Sequence, residues 1–174
     1  AGGSQDSGSA MPAADGQFVR RDSAAACLRA EAAGFNRIKN YLLPEGTPVP
    51  FLVLLGVMTP EGKVVAAKYD KFRQINRFLE FIDDVLPDVK KSVENGRPLR
   101  VADFGCGKSY LTFAVYYYLT EIKKLAVEIT GLDLKKDVID YCSKTAEQLG
   151  CSGLTFAVGS IAEYTYEHDP DIVV

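Results

Sequence analysis

The sequence predicts an α/β fold built on a doubly wound parallel sheet with strand order 3-2-1-4. Four short apolar runs are typical of strands, at residues 99–104, 125–132, 155–158 and 171–174. Helical patterns separate the first three of these runs, and alternation of strands with helices favours parallel pairing with the first strand near the middle of the sheet. A helical and hairpin extension precedes the first strand.

Each predicted strand ends in residues that can turn the chain. Gly105 ends the first strand, and Ser109 begins a helix whose apolar positions recur at spacings of three and four. A second helix spans residues 135–149, and Gly150 is a suitable left-handed stop for it. Gly159 and Ser160 follow the third strand.

We divide the chain into three regions from its composition. Residues 1–17 have the composition of a flexible tail or a cloning remnant, residues 18–97 form an N-terminal helical and hairpin region, and residues 98–174 form the sheet domain. Within the middle region, residues 24–43 predict a helix interrupted at Gly34.

The rest of the middle region predicts a hairpin and a long helix. The apolar run 51–58 and residues 63–68 are the two expected arms of the hairpin, joined by a turn at 59–62. Residues 69–86 show the clearest helical periodicity in the chain, and we expect Pro87 to end that helix.

Composition excludes several classes of protein. The 174 residues carry a formal charge of −3 and are 47% hydrophobic, which is enough for a buried core. No apolar run approaches the roughly 20 residues of a membrane span, and no secretory signal pattern opens the chain. The four cysteines show neither paired nor metal-ligand spacing. We therefore expect a cytoplasmic protein with reduced thiols and no metal site.

The residues after the first strand form an acid-x-G-x-G motif, Asp103-Phe104-Gly105-Cys106-Gly107. Its glycines allow positive φ angles and a close approach of a ligand to the backbone. The dinucleotide fingerprint would need a glycine at Tyr110, and the phosphate-binding loop would need one at Ala102. Neither common nucleotide motif is therefore complete.

A second acid, Asp133, ends the second predicted strand. A carboxylate at that position can accept hydrogen bonds from both hydroxyls of a ribose. The alternative is that Asp133 only caps the following helix and that Asp103 only forms a turn.

The acid-x-G-x-G motif resembles motif I of class I S-adenosylmethionine-dependent methyltransferases. The resemblance implies a Rossmann-like domain, with the glycine turn around the methionine part of S-adenosyl-L-methionine and Asp133 at its ribose. It also implies that the loop after the third strand lies beside the adenine ring. The cofactor-binding residues expected on this basis are Asp103, Phe104, Gly105, Cys106, Gly107, Asp133, Leu134, Ser160 and Ile161.

A longer stretch, DFGCGKSYLT, is similar to the variant found in a family that includes eukaryotic tRNA ribose methyltransferases and uncharacterised bacterial relatives. This similarity covers about residues 35–174 and implies an RNA acceptor, although no residue is assignable as the catalytic base. Two alternatives stay open. One is a nucleic-acid-binding module without catalysis, and the other is a nucleotide-binding protein of the NAD type.

The charge is unevenly distributed along the chain. Residues 35–77 carry a net charge of +4, whereas residues 78–174 carry −6. A basic section with interspersed tyrosine and asparagine suits contact with a nucleic-acid backbone. The expected contacts are Arg37, Lys39, Lys68, Lys71, Arg73 and Arg77.

The fourth strand stands at the end of the sequence, whereas a complete methyltransferase of this class continues with three more strands. We therefore expect this chain to be a truncated piece that keeps much of the cofactor half-site but is inactive alone. An unprotected strand edge also predicts self-association through the sheet.

Overall fold

A computed structural model describes residues 41–93, 96–160, 165 and 168–174. The predicted helix at 24–43 lies outside this part of the chain apart from its last three residues, which are not helical. In the described residues, no helix is both long enough and apolar enough to cross a lipid bilayer.

The central element is a parallel sheet of four strands in the order β3-β2-β1-β4, as predicted. The strands are β1 (Leu99–Phe104), β2 (Val127–Asp133), β3 (Leu154–Val158) and β4 (Ile172–Val173). Val101 of β1 is in register with Ile129 of β2 on one side and with Ile172 of β4 on the other. Since all pairs are parallel, the carboxyl ends of the strands meet at one edge of the sheet.

Four α-helices accompany the sheet in the described residues. They are α1 (Pro50–Leu54), α2 (Tyr69–Ser92), α3 (Tyr110–Tyr117) and α4 (Lys136–Leu149). A short 3₁₀ turn at Ala66–Lys68 leads into α2, and a π-helical turn at Tyr118–Ile122 continues α3. The alternation of strands and helices from β1 onward agrees with the sequence pattern.

The prediction that Pro87 ends the long helix is wrong, because α2 continues to Ser92. A proline removes one helical hydrogen bond, but it does not change the faces that its neighbours present. Leu86 is buried and Val89 packs against the core, so the apolar face continues past Pro87. The burial of this face outweighs the loss of a single hydrogen bond.

The predicted hairpin is also largely wrong. Pro50 occupies the first turn of α1, where its fixed φ favours a helix, and Phe51 and Leu52 are buried. A continuous apolar run suits a buried helix as well as a strand, and the proline decides between them. The turn does form, since the Thr59 N–H donates to the Lys63 carbonyl over 2.7 Å. The only β-pairing there among the described residues is the antiparallel bridge between Met58 and Val64.

One hydrophobic core joins the sheet to the elements that precede it. Side chains of α2 such as Phe72 and Leu79 are fully buried in the same cluster as Val101 of β1 and Phe113 of α3. Asn76 is buried on this face as well, and its side chain bonds both the N–H and the carbonyl of Leu43. The core leaves the carboxyl edge of the sheet accessible to solvent around the residues that follow β1 and β2.

Candidate functional site

The glycine turn lies against the carboxyl end of β2. Gly105 and Gly107 have φ angles of +70° and +52°, in the left-handed region that favours glycine. The N–H groups of Gly105 and Cys106 both donate to the carbonyl of Leu132, over 2.7 and 2.9 Å. The turn therefore has a defined position, which its own backbone and the neighbouring strand determine.

Both glycines border open space. A Cβ at Gly105 would have no described atom within 4 Å, and one at Gly107 would meet only the Gly105 carbonyl oxygen at 3.9 Å. By contrast, a Cβ at Gly131 in β2 would stand 2.5 Å from the ring of Phe156. Gly131 thus serves internal packing, whereas the two turn glycines leave a cradle that a ligand can fill and a side chain would obstruct.

Asp133 reaches the glycine turn from the end of β2. Its Oδ2 accepts a hydrogen bond from the Gly107 N–H over 3.1 Å, and its Oδ1 accepts one from the Lys135 N–H over 2.9 Å. The bond from Lys135 is the helix-capping role that was considered as an alternative. The bond from Gly107 joins the glycine turn to the acid at the end of β2, the two motifs that were predicted to form the site. A carboxylate oxygen accepts about two hydrogen bonds, so each oxygen retains capacity for a hydroxyl donor.

Asp103 lies in a different environment. Asp103 is only 7% exposed, and its carboxylate accepts a hydrogen bond from the hydroxyl of Thr112. Burial raises the pKa of Asp103 above its ordinary value, and the Thr112 bond opposes this less strongly. The carboxylate thus ties α3 to the end of β1. Thr112 was not among the predicted site residues, because its place on an apolar helix indicated packing alone.

An apolar rim flanks Asp133. Leu134, immediately after β2, is 70% exposed, and Val158, at the end of β3, is 54% exposed. The Gly159 N–H donates to the Asp133 carbonyl over 3.1 Å, which holds the two strand ends together. Ser160 is half-buried beside them, whereas Ile161 lies outside the described residues. Two exposed aliphatic side chains at one strand edge can pack on a flat ring.

The remaining predicted turn residues are also placed at this edge. Phe104 is half-buried, and its N–H donates to the Val174 carbonyl over 3.1 Å. Cys106 is half-buried between the two glycines.

Of the expected basic contacts, the two described arginines are paired with acids. Arg73 bonds Asp70 over 3.0 Å and Arg77 bonds Glu80 over 2.7 Å, all on exposed parts of α2. Lys68 is exposed. Arg37 and Lys39 lie outside the described residues.

Three lysines adjoin the glycine turn or the helices on either side of the site. The Lys71 Nζ is 5.3 Å from the ring centroid of Tyr110, the first residue of α3. Lys108 follows the glycine turn and Lys135 stands at the start of α4, and neither has an acidic partner in the part of the chain that the structure describes. Lys108 and Lys135 were not among the expected basic contacts, because those were chosen from the basic section at residues 35–77.

Ser109 and Cys142 are both buried, and they lie against the glycine turn. Ser109 has a φ of 56° and is buried, and its hydroxyl donates to the Cys142 sulfur over 3.1 Å. The Cys142 thiol in turn donates to the Gly107 carbonyl over 3.3 Å. The sequence pattern of this helix gave no indication that Cys142 contacts the turn.

Comparisons with known proteins give a family and a set of distant structures. A family model described as a methyltransferase domain matches residues 70–174. No curated protein sequence matches the chain.

Among solved structures, the YcgJ protein from Bacillus subtilis is 24% identical over 52% of this chain and 36% of its own, with a TM-score of 0.37. The bifunctional kinase-methyltransferase WbdD is 27% identical over 51% of this chain and 18% of its own, with a TM-score of 0.40. PKMT2 from Rickettsia typhi, solved in complex with AdoHcy, is 22% identical over 43% of this chain and 14% of its own, with a TM-score of 0.36. The matched part is well under two thirds of each of these proteins.

Proposed function

Because the chain belongs to the methyltransferase-domain family, whose model covers residues 70–174, we propose that it binds S-adenosyl-L-methionine and that its methyl acceptor is RNA. The observation that carries the cofactor proposal is the hydrogen bond between the Gly107 N–H and the Asp133 carboxylate. It joins a turn that borders open space to an acid with spare acceptor capacity.

The residues at the strand edge fit each part of this cofactor. Gly105 and Gly107 would hold the methionine part, since no side chain fills the space beside them. Asp133 would accept hydrogen bonds from the ribose hydroxyls. The exposed side chains of Leu134 and Val158 would pack on the adenine ring.

When bound, the cofactor supplies a methyl group already activated on a positively charged sulfur. The work of the chain is then to orient the reactants and to exclude competing water. Asp133 places a carboxylate at the strand edge, which favours a cationic ligand over an anionic one, whereas the buried Asp103 carboxyl holds α3 against the end of β1. These residues position the cofactor, and we assign no residue as the base.

Charge at the mouth of the crevice supports the RNA acceptor. Lys71 contacts Tyr110 at the start of α3, Lys108 follows the glycine turn, and Lys135 precedes α4. The latter two have no acidic partner within the described residues. Arg73 and Arg77 are paired with acids, which reduces their attraction for phosphates. We therefore place the phosphate contacts at these three lysines and at the exposed Lys68, rather than at the two paired arginines.

Titration calorimetry tests the cofactor proposal. We expect S-adenosylhomocysteine to bind with measurable heat and NAD to give none, because the third glycine of the dinucleotide motif is replaced by Tyr110. Heat with NAD alone, or with neither compound, would contradict the proposal.

Fluorescence anisotropy with labelled transfer RNA at several salt concentrations tests the acceptor. The Lys108→Ala, Lys135→Ala double variant should bind more weakly, and its salt-dependence slope should be smaller by roughly one unit for each phosphate that the variant no longer neutralises. Arg77→Ala is the matched control, because its charge is already paired with Glu80. An equal weakening in the control, or no RNA binding by the unchanged chain, would refute the placement of RNA at the crevice.

A further inference from the structure

A cavity of about 280 Å³ lies between α1, α3 and α4. Gly150 and Cys151 line it, and they connect the end of α4 to the start of β3. Such connections lie at the amino edge of a parallel sheet, whereas the glycine turn and Asp133 lie at the carboxyl edge. None of the described residues proposed for the cofactor lines this cavity.

Aromatic side chains form much of the cavity lining. Phe51 of α1 and Phe113 of α3 are buried, whereas Tyr116 and Tyr117 at the end of α3 are half-buried. The rings of Phe51 and Tyr117 pack against each other, with centroids 5.7 Å apart and planes at 49°. The face of an aromatic ring carries partial negative charge, which attracts an organic cation within reach of it.

Glu121 gives the same cavity a negative charge. It is the only charged side chain that lines the cavity in the part of the chain that the structure describes. Its ion pair with Lys124 is 3.3 Å long and exposed, since 56% of the Glu121 side chain is accessible, so this pair contributes little and the carboxylate can turn to another cation. The adjacent Lys123 is paired with Asp83 of α2 instead.

The end of α4 adds to this negative charge. Leu149, the last residue of α4, lines the cavity together with Gly150. The carboxyl end of a helix carries a partial negative charge that a lysine or arginine in the last turn often balances. The last turn of α4 has no basic residue, and Glu147 stands in it. A cation bound in the cavity would supply the positive charge that this helix end lacks.

We propose that this cavity binds a small organic cation through an alkylated ammonium head group. The aromatic rings would contact the methyl groups of the head, and Glu121 with the end of α4 would balance its charge. The volume of about 280 Å³ lies near the lower end of the roughly 300–1,000 Å³ range of small-molecule sites, which suits such a head group. A metal ion fits poorly, because the lining offers one carboxylate and the described residues contain no group of three metal-ligating side chains.

Amide chemical shifts of the isotope-labelled chain, titrated with choline, test the proposal. The matched neutral compound is the alcohol in which a carbon atom replaces the quaternary nitrogen of choline. We expect choline to shift the amides of Glu121, Gly150 and Cys151, and to bind about fivefold more tightly than the neutral alcohol. Equal affinity for the two compounds, shifts centred on Gly105 and Gly107, or no shift at all would overturn the proposal.

Variants of the lining separate the ring from the carboxylate. Tyr117→Leu should weaken choline binding about fivefold, and Tyr117→Phe, which keeps the ring, should bind like the unchanged chain. Glu121→Gln should weaken binding about threefold, and Glu128→Gln, an exposed acid outside the cavity, is its matched control. Because Glu121 is exposed, its variant tests the site even if Tyr117→Leu fails to fold. Equal affinity in Glu121→Gln and Glu128→Gln would contradict the role of the carboxylate and overturn the proposal.

Two further titrations identify the location and the source of the cation. Saturation with S-adenosylhomocysteine should leave the affinity for choline unchanged, and competition between them would overturn the proposal by placing choline at the strand edge near Asp133. A short peptide with trimethylated lysine tests whether the head group belongs to a protein. Tighter binding of this peptide than of choline would support a protein-borne head group, and the reverse order would support a free small molecule. Equal binding of the methylated and unmethylated peptides would overturn the proposal.

Discussion

The backbone N–H of Gly107 donates a hydrogen bond over 3.1 Å to the Oδ2 of Asp133, which lies at the end of the neighbouring strand. The bond connects two strand tips that the sequence motifs indicate separately. It also explains how one carboxylate can both cap a helix start, through Lys135, and hold the glycine turn in place. Substitutions at these strand tips should therefore affect both the ligand site and the local fold.

Replacement of Asp133 should weaken ligand binding. Asp133→Ala removes a charged acceptor, which contributes roughly 1.5–3 kcal/mol to a hydrogen bond, so we expect about a 10- to 100-fold loss of affinity for S-adenosylhomocysteine. Calorimetry measures this change. Asp137→Asn, an exposed acid in the first turn of α4, is the control and should retain the affinity. Unchanged binding by Asp133→Ala would exclude the ribose role.

Substitution of Gly105 tests the open cradle. Gly105→Ala places a methyl group where no described atom lies within 4 Å and where φ is +70°. The strained backbone should lower the free energy of unfolding by about 1 kcal/mol, and the methyl group should also obstruct the ligand. Gly150→Ala is a matched control, since Gly150 has a φ of +68° and an equally open Cβ position at the end of α4. Equal ligand affinity in the two variants would show that the cradle is not used.

Asp103 should make stability depend on pH. Its pKa is raised in the folded chain, mainly by burial, so the folded state holds the proton more tightly than the unfolded state. Its stabilising contribution is therefore complete below the ordinary value of 3.8 and is lost as pH rises through the folded pKa. Asp103→Asn keeps an acceptor for Thr112 without the charge, and we expect it to unfold at a higher temperature than the unchanged chain at neutral pH.

Thermal unfolding across the pH range checks this expectation for Asp103. The difference between the two proteins should shrink as the medium becomes acidic, and Asp137→Asn should show no such trend. A lower unfolding temperature for Asp103→Asn at neutral pH would contradict the sign of the effect.

A second acid, Asp171, should make the stability of the fold depend on pH in the opposite sense. Its two carboxylate oxygens each bond the Arg97 guanidinium over 2.7 Å, and Oδ2 also accepts the Arg100 N–H over 2.9 Å. The Arg97 guanidinium holds the pKa of Asp171 below its ordinary value, so this stabilisation is present above 3.8 and is lost as pH falls through the folded pKa. Asp171→Asn should lower the free energy of unfolding at neutral pH by about 2 kcal/mol.

Urea unfolding measures the Asp171 effect. Glu128→Gln is the control, because Glu128 is 59% exposed in its pair with Arg100 and such pairs contribute less than about 1 kcal/mol. If Asp171→Asn and Glu128→Gln had equal effects, the bidentate pair would not anchor β4 to β1.

The two wrong predictions about the fold have a common cause. The apolar run after Pro50 and the helix around Pro87 each contain a proline whose effect depends on what its neighbours bury. At Pro50 the proline favours the first turn of a helix, and at Pro87 the buried Leu86 and the partly buried Val89 maintain the helix beyond it. Periodicity identifies the faces of such segments, but it does not state which packing partner outweighs a lost hydrogen bond.

Local patterns in the sequence were sufficient for the α/β alternation, the strand order and the place of Gly105, Gly107 and Asp133 at strand ends, because these follow from the rules of parallel sheets. The folded chain was needed to show that Thr112 bonds Asp103 and that Cys142 lies beneath the glycine turn. Such contacts join different elements of the fold. They depend on strand register and on the rotation of each helix about its axis, which hydrophobic patterning leaves open by several residues.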